Sequence, residues 1–335
     1  MINQLDLKTK YMIRYLLQVP SHYTPSHKPN IFLFSTRRGG STLLSNMIYS
    51  QPGFNYIDQP LDFTVRQFNP YRNLFSGYGF ETGQIIKLNE KQKASVKSYL
   101  DKLLNRNFIL NSQWKFWANN YHWSWNRYVV KEVNAKPLMP WFECIYKGKV
   151  LVVYQTRHPF ATAASLLDTN WGHINGVFLQ DGEFVDTYLT SKMRDFAREI
   201  ALSNSRFENY VLDWCFENFI PLRLWNKSSW TTVSYEYIIQ NPQEACLRIT
   251  SLLNLPEPEK MINTVFQPTR NTSKKSKIII SSIGPKSRLT TWLNNKMISA
   301  QELYFASKIL DVFEVYLYSA ESPYAHPDFD RYLYS

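Results

Sequence analysis

The sequence predicts an α/β fold, a central parallel sheet flanked by helices, in a single domain over residues 1–335. Three observations carry that reading. The run KVLVVYQT (149–156) is apolar toward both faces, as a central parallel strand buried on each side must be. Strand-like and helix-like segments alternate along the chain, which is the pattern of β–loop–α units. No Pro-, Gly- or Ser-rich linker separates two independent halves.

The elements follow in order. Residues 1–28 form an amphipathic helical extension, with Leu5, Met12, Leu16 and Leu17 apolar and no apolar core of a signal peptide. NIFLF (30–34), bounded by Pro29, reads as a buried strand. Leu43, Leu44, Met47 and Ile48 then recur on one helix face. Residues 65–127 read as a largely helical insertion ending in an aromatic run, WKFWANNYHWSWNRY (114–128). YVVKEV (128–133) is a strand, Pro137 opens a helix through Tyr146, and the strand at 149–156 leads to Pro159 in a first helical turn. Residues 171–227 form a second largely helical insertion. WTTVSYEYII ends a strand near Tyr235, and a helix follows with Asn241 as cap and Pro242 at its first position. NTSKKSKIIISSIGPKSR (271–288) is basic and turn-rich, hence a mobile loop.

Bulk composition narrows the partners. Lysine and arginine number 38 against 27 acidic residues, a net charge of +11 that favours an anionic ligand. Cys144, Cys215 and Cys246 lack any CxxC or metal-ligand spacing, so they read as reduced thiols of a cytoplasmic protein. No run of 18 apolar residues is present to span a membrane. The Walker pattern, GxSxG, HExxH and the kinase HRD are missing, and GYGFETG (77–83) lacks both the spacing and the preceding strand of a dinucleotide fingerprint.

One loop stands out. In TRRGGSTLL (36–44) a buried strand passes through two glycines into a helix, so unpaired amides and the positive helix end face whatever the loop holds. Arg37 and Arg38 add charge, Gly39 and Gly40 allow close backbone approach, and Ser41 and Thr42 add hydroxyls. A second anion site is suggested by Arg157 at the end of the strongest strand, with Ser165 eight residues on.

These two stretches resemble the sulfotransferases that use 3′-phosphoadenosine-5′-phosphosulfate (PAPS). RGGSTLL (38–44) is similar to their 5′-phosphosulfate loop, and VVYQTRHPFATAAS (152–165) to their 3′-phosphate motif. VSYEYIIQNPQEACLRITSLLNL (233–255) and SRLTTWLNNKMISAQE (287–302) resemble later family segments, in the same order. The resemblance implies a P-loop-like sulfotransferase architecture, PAPS as donor and PAP as product. It implies that Gly39, Gly40, Ser41, Thr42 and Leu43 hold the 5′-phosphosulfate, with Arg38 (or its neighbour Arg37) on the bridging oxygen. Arg157 and Ser165 would hold the 3′-phosphate, Tyr235 would lie by the nucleotide, and Lys286 and Arg288 would close over it. No metal is called for.

The general base is where the sequence departs from the family. Sulfotransferases often place an acid about twenty residues after the basic residue of the loop; here the stretch is YIDQPLD, with Asp58, Gln59 and Asp62. Asp58 is the expected base, with Asp62, His122 and His173 as further candidates. Trp117 belongs to a tryptophan cluster that either packs the core or walls a flat or cationic acceptor. The expected reaction is sulfonation of a hydroxyl, or else an amine, of a small molecule such as a natural product of secondary metabolism. Two alternatives stay open: a nucleotide-dependent kinase or NTPase with an atypical loop, and a basic nucleic-acid-binding protein.

Overall fold

A computed structural model describes residues 9, 12–13, 16, 28–62, 83–107, 122, 124–169, 171–224, 227–268, 284 and 286–327. Five strands form one sheet: β1 (Asn30–Ser35), β2 (Gly53–Asp58), β3 (Trp125–Glu132), β4 (Val150–Thr156) and β5 (Thr231–Ser234). Their order is β2-β3-β1-β4-β5, and every neighbouring pair is parallel. The fold is α/β, with the carboxyl ends of β1, β3 and β4 side by side.

Helices follow the strands as the alternation requires. After β1 comes α1 (Ser41–Tyr49); α2 (Glu90–Leu104) lies between β2 and β3, and α3 (Met139–Ile145) between β3 and β4. A 3-10 turn at Lys136–Leu138, with Pro137 in its first turn, precedes α3. Beyond β4 stand α4 (Pro159–Leu167), α5 (Asn175–Gln180), α6 (Gly182–Tyr188), α7 (Ser191–Leu202) and α8 (Arg206–Leu224). After β5 come α9 (Tyr235–Gln240), α10 (Pro242–Leu252), α11 (Pro258–Val265), α12 (Ser287–Thr290) and α13 (Ala300–Val312).

Strand alternation divides the core. Ile31 and Leu33 of β1 point to one face, where α1, α10 and α11 pack through Leu44, Met47, Ile249 and Met261. Phe32 and Phe34 point to the other, against Leu100 of α2 and Phe142 of α3. A third cluster, from α4 to α8 with α13, forms a helical layer centred on Phe160, Phe178, Trp214 and Phe216. Helix α8 bridges this layer to the carboxyl end of the sheet.

Several local expectations change. Strand β2 is absent from the sequence reading, since GFNYID offers little β-branched character; Phe54 and Tyr56 are nonetheless buried among the side chains of α1 and β1. Residues 125–127, assigned to the helical insertion, open β3 instead. Tyr235 is the first residue of α9, and the cap in front of it is Ser234, whose side chain accepts from Tyr237 N. Asn241 does precede α10, but its side chain makes no capping hydrogen bond. The basic segment 271–288 lies mostly outside the described residues, as does Trp117. Cys215 and Cys246 are buried and Cys144 is exposed; all three are free thiols. Among the described residues no helix is long and apolar enough to cross a membrane.

Candidate active site

The site is built where β1 and β4 end. After Ser35 the chain turns sharply, closed by Gly39 N donating to Thr36 O at 2.8 Å. Arg38 has φ 60° and Gly40 φ 86°, both in the left-handed region. A non-glycine residue there costs about 1–2 kcal/mol, and such strain is held where the surroundings over-determine the backbone. Gly40 is obligatory for a second reason. A Cβ on it would lie 2.3 Å from Cδ2 of Tyr235, so the turn rests directly on that ring. A Cβ on Gly39 would meet Ser35 Oγ at 2.7 Å and Thr36 O at 2.8 Å. Helix α1 then starts with no side-chain cap and no acid in its first turn, which leaves the positive helix end open to an anion.

The two motifs that the sequence pairs are joined in space. Arg38 Nε donates to Ser165 Oγ at 2.9 Å, and Arg157 Nη1 donates to Arg38 O at 2.9 Å. The Arg157 guanidinium also sits 4.7 Å from the centre of the Tyr235 ring. Trp214 Nε1 fixes the turn from α8 by donating to Arg157 O at 3.0 Å. Two arginines thus share one small volume. Burial first, and then the charge of Arg157, hold the Arg38 pKa below its ordinary value, against a smaller opposing effect of Asp168. Arg157 Nε is buried with no hydrogen-bond partner among the described residues. Cations crowded like this are better satisfied by an incoming anion than by each other.

His158 secures the turn after Arg157. It caps α4, where its Nδ1 accepts from Phe160 N at 3.1 Å, while Nε2 meets Ser319 O at 3.0 Å. One nitrogen must accept and the other must donate, so the ring is neutral with its proton on Nε2. Burial pushes its pKa down to about 4. Glu236 Oε1 accepts from His158 N at 2.9 Å and completes the brace from α9.

The remaining predicted residues fall elsewhere to differing degrees. Asp58 ends β2, paired with Lys131 of β3, which is itself paired with Leu33 of β1; the aspartate is therefore two strands, roughly 10 Å, from β1. Its carboxylate is held by Lys131 Nζ at 2.7 Å. Asp62 lies just beyond, in a turn closed by Asp62 N to Gln59 O at 3.1 Å. His122 is not part of the site. Its ring stacks on Tyr49 at 4.5 Å and its Nδ1 meets Phe54 O at 3.0 Å, at the amino end of β2 and so the opposite end of the sheet. Arg288 is buried and donates to Gln267 O at 3.1 Å, while Lys286 stands at the start of α12, which packs on α9.

What sequence reasoning missed is a buried charge network behind the loop. Lys136, fully buried, donates to Thr36 Oγ1 at 3.0 Å and to Glu217 Oε2 at 2.6 Å. Burial lowers its pKa to about 8, with Glu217 opposing. Glu217 also takes Gln84 Nε2 at 3.2 Å and lies 3.5 Å from Arg37 Nε. Arg37 Nη2 lies 3.9 Å from Asp213 Oδ2, so the second arginine of the loop turns toward α8 and away from Ser165. Asn218 ties in Tyr154 and Thr36. The signal was available: VLDWCFENF (211–219) sets Asp213 and Glu217 one turn apart in an otherwise apolar helix, and buried acids must be paired.

No protein-family model matches the chain, and no curated protein matches it. Among solved structures it is similar to the sulfotransferase domain from the Synechococcus PCC 7002 olefin synthase, at 15% identity and a TM-score of 0.43, over 88% of this chain and 98% of that one. It is similar to the sulfotransferase domain from the curacin biosynthetic pathway at 15% identity and TM-score 0.41, over 84% and 97%. Mouse sulfotransferase SULT7A1 complexed with PAP gives 14% identity and TM-score 0.42, over 95% and 93%.

Proposed function

We propose that this protein transfers the sulfonate of PAPS to a hydroxyl of a small-molecule acceptor. The observation that carries the reading is the meeting of Arg38, Ser165, Arg157 and Tyr235 around the Gly39–Gly40 turn. Two motifs 119 residues apart, each resembling half of one nucleotide site, share hydrogen bonds. The residues fit the donor. An uncapped helix end and a glycine turn backed by an aromatic ring suit the 5′-phosphosulfate. The Arg157 guanidinium, with one buried nitrogen unpartnered, suits the 3′-phosphate.

When bound, PAPS supplies an electrophilic sulfur attached to a phosphate leaving group. The protein's part is to hold that group in line and to stabilise the charge that grows on the phosphate as the sulfonate departs. Arg38, anchored by Ser165, is the preorganised cation for that task. Arg37, drawn toward Asp213 and Glu217, is not.

Thermal unfolding with added nucleotides tests this. PAP raises the Tm without added metal, whereas AMP and ATP at the same concentration raise it far less; at 100 times Kd the stabilisation is about 2.7 kcal/mol. Arg157→Ala removes most of the preference for the 3′-phosphate. Equal shifts from PAP and AMP, or a shift that requires magnesium, would refute the reading.

A further inference from the structure

His173 lies in the stretch that joins α4, which carries Ser165, to α5. The joining stretch is pinned to α8 at two points ahead of the histidine: Tyr210 OH donates to Trp171 O at 2.6 Å, and Arg206 Nη2 to Thr169 O at 2.8 Å. The imidazole packs 4.3 Å from the Tyr210 ring and keeps 27% of its side chain exposed. Behind it stands Asp213 of α8, with a carboxylate only 3% exposed.

The orientation of Asp213 is informative. Its Oδ1 accepts from Ile174 N at 3.1 Å and Asn175 N at 2.7 Å, so the carboxylate cannot rotate freely. Its Oδ2 therefore faces His173 Nδ1 at 3.5 Å and Arg37 Nη2 at 3.9 Å, and neither Oδ2 nor Nδ1 makes a hydrogen bond among the described residues. A buried acceptor faces a partly exposed imidazole and stops just short of it. Such contacts are often loose before substrate binds and tighten afterwards. The charged groups around the imidazole are Asp213 itself and Arg37, Arg206 on the Tyr210 ring that packs against it, then Glu217 with its Lys136 partner; Arg37 links the cluster to Arg38 in the turn.

We propose that His173, oriented by Asp213, is the group that takes the proton from the acceptor hydroxyl, an inference that rests on the sulfonate transfer proposed above. As the acceptor oxygen bonds to sulfur, its proton passes to His173 Nε2. The sulfur–oxygen bond to the phosphate breaks, and its electron pair stays on the phosphate beside Arg38. The imidazolium then carries a proton on both nitrogens, with Nδ1–H facing the fixed carboxylate, and later releases the Nε2 proton to water. Burial raises the Asp213 pKa, opposed first by its contact with His173 and then by the charge of Arg37. Asp58 is the weaker choice because its carboxylate is already engaged by Lys131 at 2.7 Å. Asp213 has no open face of its own.

Two measurements on the full-length protein test the inference. The first needs neither donor nor acceptor: ¹⁵N NMR of the His173 ring shows the Nδ1–H tautomer, and Asp213→Asn weakens that preference. A ring protonated on Nε2 in the wild type would overturn the proposal. The second uses PAPS with phenol, with 4-nitrophenol and with water, read as product or sulfate release. His173→Gln slows transfer to phenol by about 10²–10⁴ and removes the acid limb of the kcat profile. It slows transfer to 4-nitrophenol, a far stronger acid than phenol and already about half ionised at neutral pH, much less, and it leaves the PAP-induced Tm shift unchanged. Equal losses on the two phenols, or an intact acid limb, would overturn the proposal. A wild type that neither binds PAP nor releases sulfate would instead bring down the proposed function, while the tautomer would still report on the His173–Asp213 pair.

Discussion

Gly40→Ala is the sharpest single perturbation of the turn. Two costs add at this position. An alanine at φ 86° carries a left-handed strain of about 1–2 kcal/mol. Its Cβ would also stand 2.3 Å from Tyr235 Cδ2, closer than any real contact, so the ring must move. Moving it disturbs the 4.7 Å contact with Arg157, worth about 0.5–2 kcal/mol. The total is about 1.5–4 kcal/mol. Unfolding entropy of about 2.1 cal/mol/K per residue gives roughly 0.7 kcal/mol per degree for a chain of this length, so Tm falls by about 2–6 °C. Gly148 supplies the control: its φ is 76°, yet an added Cβ meets nothing within 4 Å among the described residues, and it lies before β4 at the far end of the sheet. Gly148→Ala should lower Tm by only about 1–3 °C. Scanning calorimetry with and without PAP separates the two effects. PAP stabilises Gly148→Ala as it does the wild type, and stabilises Gly40→Ala little. A Gly40→Ala protein that matches Gly148→Ala in Tm and keeps its full PAP shift would show that the ring does not support the turn.

Other outcomes follow from the same geometry. Arg38→Ala should lower turnover about 10²–10³-fold while weakening PAP binding much less, measured by steady-state kinetics beside calorimetric titration; a parallel loss of both would place its role in binding alone. His158 makes stability acid-sensitive. Its folded pKa is about 4, below the ordinary value near 6.5, so between those values the unfolded chain binds more protons and stability falls as pH drops. The full effect is on the order of 3 kcal/mol, and urea titrations at pH 7 and pH 4 should show a smaller difference in His158→Asn, where the amide can still accept from Phe160 N. Lys136→Met leaves Glu217 buried with its closest cation removed and should cost about 3–5 kcal/mol. Lys136→Met with Glu217→Leu should recover part of that loss in chemical unfolding.

How much of this was legible in the sequence depends on whether a feature is local. β1, β4 and the turn at 36–40 are written in contiguous residues: apolar runs, paired glycines, and Pro159 opening a helix. Ser165 could be paired with Arg38 only through the family resemblance, because 127 positions separate them and nothing in either segment announces the hydrogen bond. His122 misled because an imidazole in an aromatic run looks the same at either end of a strand. Only the register, with Phe54 beside Arg127 near the amino end of β3, shows it to be remote. Asp58 was drawn by counting residues from the loop. Counting along the chain cannot reveal that β3 intervenes in the sheet, or that Lys131 on that strand has claimed the carboxylate.

The least legible part is the one that decides which arginine of the loop acts. Arg37 and Arg38 are adjacent in sequence and identical in chemistry, and spacing alone leaves them interchangeable. The structure separates them through backbone and charge. The left-handed conformation of Arg38 goes with a side chain that reaches Ser165, while Arg37, one residue earlier in the same turn, has its side chain on the side of α8. There Asp213 and Glu217, one helical turn apart, draw the Arg37 guanidinium, and Lys136 balances the second carboxylate. Two buried acids beside one cation would be costly; with Lys136, two carboxylates face two cations. The network therefore does more than stabilise a helix layer. By occupying Arg37 it leaves Arg38 as the cation beside Ser165 and Arg157, and it brings the Asp213–His173 pair within one side chain of the same turn.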